Sequence, residues 1–233
     1  MIRATELSAS EQSKREGKRI FGWVEAAFNL AYLCTAFFLA ARALSRGGQA
    51  VQALVGIMAL VLAAGDAFHL VPRVIAVIRG GENGLTKALG FGKLVTSLSM
   101  TGFYVLLWHA GILLFAPAAA SVWTAMVYIL AALRIALCLC TKNKWFDDSP
   151  PAAWAVYRNI PFLLLGAAVA VFFGMHAHAV LSIRWMGFAI LLSFAFYIPV
   201  VLWANKYRKL GMLMLPKTCT YLWMLFMLMQ AAA

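Results

Sequence analysis

The sequence predicts an all-α, polytopic membrane protein with seven transmembrane helices, and three observations predict it. Hydrophobic residues make up 64% of the 233 residues, and the mean hydropathy is +0.84. Apolar runs of about 20 residues, the length that crosses a bilayer, recur along the chain and nearly fill it. The few ionisable residues inside those runs recur at helical spacing. A chain so occupied leaves no separate soluble domain, so binding or chemistry is expected in the membrane or at its surface.

Residues 1–19 are polar and basic, with charges of alternating sign, and read as a cytoplasmic tail or surface helix. The rest, 20–231, reads as one transmembrane domain. The first span is 20–44. Its end has the small residues of a cleavage site, but the run is too long for a signal sequence and reads as uncleaved. Glu25, Asn29 and Tyr32 give it a polar stripe at i, i+4, i+7. A Ser45–Gly48 turn leads to the second span, 51–78, and the glycine-rich loop 79–84 leads to the third, 85–110. Pro117 and its alanines turn the chain into the fourth span, 121–140. The loop 141–151 ends in Ser149-Pro150-Pro151, and the fifth and sixth spans follow at 152–175 and 181–204. A basic turn, 205–209, precedes the seventh span, 210–229. Cys34, Cys138, Cys140 and Cys219 all fall in apolar runs without the spacing of a disulfide framework or zinc site, and read as small core residues.

Orientation follows from the basic residues. Segments on the N-terminal side hold twelve Lys and Arg, the opposite side holds Arg42, Arg46 and Arg184, and five lie within spans. This bias predicts a cytoplasmic N-terminus and, after seven crossings, an extracytoplasmic C-terminus in a multi-pass protein of the cell membrane. It also accounts for most of the +12 net charge, so nucleic-acid binding is not expected.

The second span carries Gly65-Asp66-Ala67-Phe68-His69-Leu70-Val71-Pro72-Arg73, with Asp66, His69 and Arg73 on one helical stripe. A carboxylate in hydrocarbon costs roughly 2.5–3.5 kcal/mol on insertion scales and normally faces the bundle interior, where it marks a functional site. With alternating helix directions, Glu25, Asp66, His69, Arg73, Lys93, Arg134, Arg158, Asn159, Tyr197 and Lys217 all fall in the cytoplasmic half. The expectation is one cavity facing the cytoplasm. Its cations outnumber Glu25 and Asp66, even when Arg73 and Arg158 are allowed to snorkel to the interface, so either a lysine is neutral or the cavity receives an anion, a requirement that a phosphate meets directly. His69 is the only histidine in this layer, so no metal site and no cofactor are expected. Ser97 reads as a packing hydroxyl rather than a partner of His69.

The segment Gly65-Asp66-Ala67…Leu70-Val71-Pro72-Arg73 resembles the Gly-Asp-Ala…Leu-Leu-Pro-Arg segment of YhhN-type lysoplasmalogenases. Gly90-Phe91-Gly92 and Ser97 to Tyr104 resemble that family's next helix, and the similarity covers about 40 residues. The resemblance implies hydrolysis of the vinyl-ether bond of lysoplasmalogens within the membrane, releasing a fatty aldehyde and a glycerophospho-headgroup. On this reading Asp66 is the acid/base, assisted by His69 or Glu25. Arg73, Lys93, Arg134, Arg158, Asn159, Tyr197 and Lys217 bind a membrane lipid or other anionic amphiphile. Two other classes stay open: a small proton-coupled transporter of an anionic solute, and a membrane sensor or assembly protein. The sequence does not define the oligomeric state.

Overall fold

The chain folds as α1 (Ile2–Ser45), α2 (Ala50–Arg79), α3 (Thr86–Phe115), α4 (Ala120–Leu139), α5 (Ala152–Met175), α6 (Met186–Trp203) and α7 (Met214–Ala231). Short 3-10 turns lie at Thr141–Asn143, Leu181–Ile183 and Arg208–Leu213. This computed structural model describes the backbone of residues 2–45, 50–81, 83–117, 120–147, 149–203 and 206–232. It describes their side chains apart from those of 2–18, 120, 208 and 209. The turn expected at Ser45–Gly48 lies outside the described residues from Arg46 onward, as do Asn205 and the side chains of most of the basic tail. Among the described residues there are no strands, and seven helices are long and apolar enough to cross a membrane. By length and composition this is a multi-pass membrane protein.

Several boundaries differ from the sequence reading; the sixth span opens as a 3-10 turn with its α-helix from Met186, and three others have a local reason. The tail is not a separate element: helix α1 runs unbroken from Ile2 to Ser45. Helix α3 continues past 110 to Phe115, because nothing in Gly111–Phe115 breaks it before the left-handed Ala116 (φ 43°) and Pro117. The seventh span opens as a 3-10 turn, and its α-helix starts at Met214. Pro216 then lies in the first turn, where its missing N–H has no helical partner to lose.

Successive helices pack as antiparallel neighbours, and α7 closes the bundle against α1 and α2. Gln52, at the start of α2, donates to the Ala232 carbonyl at 2.7 Å, which ties the end of α7 to the same face as the start of α2. That is the far face. The near face carries the starts of α3 and α5 and the α4–α5 loop, and there Gly90 is packed directly against the Trp145 backbone.

The tightest helix contact is α2 on α3. Pro72 has no N–H for the Phe68 carbonyl one turn earlier. That carbonyl is turned against Gly92 of α3, where an added Cβ would overlap it and would come within 2.6 Å of His69 Cα. Gly65 likewise leaves room only for the Ser99 side chain. Small residues that let helix backbones approach are the usual device for packing in lipid.

Much of the far half of the bundle is an aromatic core. Phe103, Leu107, Trp108, Phe172 and Phe173 are all buried there, with Phe162 at its border near mid-depth. Tilted and edge-to-face contacts hold it, with Tyr104–Phe162 at 5.2 Å, Phe103–Tyr221 at 5.4 Å and Trp108–Phe172 at 4.3 Å. Cysteines divide: Cys138 is buried and Cys140 partly buried, whereas Cys34 and Cys219 are exposed. The last two are therefore not core residues; a thiol is apolar enough to stand on an outward helix face.

Candidate functional site

The polar stripes of α1 and α2 meet in register. Tyr32 and Glu25 are seven residues apart on α1, as Asp66 and Arg73 are on α2. In the antiparallel pair, the Tyr32 hydroxyl donates to Asp66 Oδ2 at 2.7 Å, and two turns along Arg73 pairs with Glu25 at 2.6 Å. Asp66 lies near the middle of its helix, while the Glu25–Arg73 pair lies toward the near face. Beside that pair a cleft of about 200 Å³ opens between α1 and α2, lined by Glu25, Asn29, Arg73 and neighbouring small residues.

Behind Asp66 stands Lys217 of α7, buried, with Nζ 4.6 Å from the centre of the Tyr197 ring and 5.0 Å from that of Tyr221. Asp66 and Lys217 act on each other electrostatically without forming a direct ion pair. His69, one turn from Asp66, is partly buried, and its Nδ1 has no hydrogen-bond partner. Arg73, Lys93 and Lys217 surround it as the charged groups that act on its ring. Lys93 itself is exposed, and Ser97 spends its hydroxyl on the Lys93 carbonyl at 2.7 Å, as a packing residue does.

The remaining cations form a second cluster. Arg134 of α4 is 1% exposed; Nη1 donates to Asn159 Oδ1 at 3.0 Å, and the guanidinium lies 3.5 Å from the centre of the Phe162 ring. The Tyr197 hydroxyl donates to the same Asn159 oxygen at 2.9 Å. Arg158 reaches toward the near face and is held by the α4–α5 loop. Its Nη1 donates to Asn143 Oδ1 at 3.0 Å, and its guanidinium lies over Trp145 at 4.2 Å. Asn143 in turn donates to the carbonyls of Leu137, Cys138 and Cys140, which closes the end of α4.

A chain of polar groups therefore crosses the bundle at one level, from Tyr32 and Asp66 through Lys217, Tyr197 and Asn159 to Arg134. Among the described residues its members are divided between two openings. Glu25 and Arg73 line the α1–α2 cleft, Asn159 and Tyr197 line a separate groove between α5 and α6, and Asp66, His69 and Lys217 line neither. The reason is steric: the tyrosine rings that pack around Lys217 fill the centre. Two contributors escaped the sequence reading. Tyr221 follows Lys217 at i+4, a spacing that signals it, whereas Asn143 stands in a loop with no such signal. No family model matches this chain, and neither a curated protein nor a solved structure does.

Proposed function

We propose that the chain is a membrane-embedded hydrolase of the lysoplasmalogenase type, acting on a lysophospholipid-like amphiphile. The observation that supports this most is the one-sidedness of its polar groups. Asp66, His69 and their cations occupy the half nearer the start of α1, and the aromatic core closes the half beyond. An enzyme needs water and substrate from one side only, which such an arrangement supplies.

In this reading the headgroup sits in the α1–α2 cleft beside Arg73, and because Asp66 lies two turns deeper and lines no cleft, α1 and α2 part along their seam to admit the vinyl ether. Arg73 and Lys93, which flank His69 from α2 and α3, hold the phosphate. Asp66 gives a proton to the outer carbon of the vinyl ether, which leaves positive charge shared between the ether oxygen and its neighbouring carbon. Water adds to that carbon and loses a proton to His69 or to the Asp66 carboxylate. The hemiacetal collapses to a fatty aldehyde and the glycerophospho-alcohol, so atoms and charge balance without a cofactor. Tyr32 fixes the Asp66 carboxyl through its 2.7 Å hydrogen bond, and Glu25 orients Arg73. The test is aldehyde and fatty-acid release by purified, detergent-solubilised protein given a lysophospholipid panel that includes vinyl-ether species, read by mass spectrometry. Aldehyde from the vinyl-ether lipids alone is the expected result; no product from folded protein would remove the proposal.

The same reading places the N-terminus in the cytoplasm and the C-terminus outside the cell membrane, on the strength of the basic-residue bias. A C-terminal alkaline phosphatase fusion in a bacterial host is then expected to be active and a C-terminal green fluorescent protein fusion dark. The reverse pattern would invert the site and place its mouth on the extracytoplasmic side.

A further inference from the structure

The groove between α5 and α6 plays no part in the proposed hydrolysis, and its construction points to a ligand of its own. It has a volume of about 190 Å³ and is walled by apolar side chains, among them Ile160, Leu163, Ile198 and Leu202. Only Asn159 and Tyr197 bring polar atoms to it. Leu163 and Leu202 are 41% and 45% exposed on the outward face of the bundle, so the groove opens sideways toward hydrocarbon. A volume of that size suits one alkyl chain rather than two.

The polar end is charged. Asn159 Oδ1 is the oxygen that receives both the Tyr197 hydroxyl and Arg134 Nη1, so the guanidinium stands one hydrogen bond behind the groove wall. Among the described residues no carboxylate pairs with Arg134, and its charged neighbours include Arg158 and Lys217, both cations. Arg134 Nε is buried and has no hydrogen-bond partner. A buried guanidinium with an unused N–H and cationic neighbours is costly unless an anion offsets it.

We infer that the α5–α6 groove binds a single long-chain fatty acid, with its chain along Ile160, Leu163, Ile198 and Leu202 and its carboxylate on Arg134. A carboxylate is the fitting head for three reasons. The Nε edge of a guanidinium meets two carboxylate oxygens side by side. One negative charge matches one arginine. The head must also pass below the interface, since Arg134 lies about 8 Å inside the end of α4 at 1.5 Å per residue, and a hydrated glycerophosphate headgroup resists that depth. On binding, the Asn159 side chain swings out of the wall to open the way to Arg134, the Tyr197 hydroxyl turns to donate to the carboxylate, and the Phe162 ring keeps its place over the guanidinium.

The test needs no hydrolytic readout, so it stands or falls apart from the proposed activity. Purified protein in detergent is titrated with oleate, methyl oleate and oleoyl-lysophosphatidate, with bound ligand counted by native mass spectrometry. One oleate per chain is expected, bound at least about tenfold more tightly than the methyl ester, because the ester cannot form the charge-assisted pair. Arg134→Gln is expected to erase that difference. Leu163→Trp, which fills the groove from its lipid side and leaves the polar residues untouched, is expected to weaken oleate by a similar factor. Equal affinity for oleate and its ester, or unchanged oleate binding in Leu163→Trp, would overturn the proposal. Tighter binding of the lysophosphatidate would overturn it too, by assigning the groove to a phosphate head.

Discussion

Asp66→Asn is expected to lower aldehyde release by about 10²–10⁴-fold, the usual contribution of a positioned acid or base. The replacement keeps the size and an acceptor oxygen for Tyr32, so the 2.7 Å hydrogen bond across α1 and α2 survives and the bundle remains assembled. What is lost is the proton that the enol ether needs. The effect therefore belongs to turnover, with the thermal-shift midpoint nearly unchanged and substrate affinity retained. Tyr32→Phe, which loosens the carboxyl without removing it, is expected to fall between wild type and Asp66→Asn. A folded Asp66→Asn protein with full turnover would show that the carboxylate is a structural partner of Lys217 and nothing more.

Gly92→Ala is expected to destabilise the bundle by about 1–3 kcal/mol, the range for forcing atoms into a packed interior. The added methyl would meet the Phe68 carbonyl and His69 Cα, both of them backbone of α2, so no side chain is available to swing aside. Relief requires α2 and α3 to separate, which shifts His69 relative to Lys93. Gly102→Ala on the same helix is the control. Its methyl would find only Val61, at 3.9 Å, and a helix gains a little from alanine in place of glycine. Denaturation of both variants in mixed micelles should show a clear loss for Gly92→Ala and little change for Gly102→Ala. Equal midpoints would mean that the α2–α3 contact is soft.

Span number was legible because twenty consecutive apolar residues have few alternatives in water or in lipid. The α1 and α2 stripes were legible as helical spacing. Their partnership was not, because the match of Glu25 with Arg73 and of Tyr32 with Asp66 depends on how far two helices slide past one another, and no local residue states that. Helix rotation is equally silent. Lys217 and Arg134 could be placed at one depth from the sequence, yet whether a void or a pair of tyrosine rings lay between them depends on packing across five helices. Arg158 is the plainest case. Its depth suggested an interfacial cation, but its partner there, Asn143, is a loop residue with no periodicity to announce it.

The order of helices around the bundle has a temporal consequence. A ribosome delivers the N-terminal helices to the membrane well before the C-terminal ones, so Asp66 arrives long before Lys217. A carboxylate left alone in hydrocarbon during that interval would pull its helix back toward water. Tyr32, already inserted on the preceding helix, supplies the hydroxyl that satisfies Asp66 as soon as the first hairpin closes. The Glu25–Arg73 pair closes with it, in the same register. The nascent chain can thus hold its acidic centre in place while the cationic partner is still being translated.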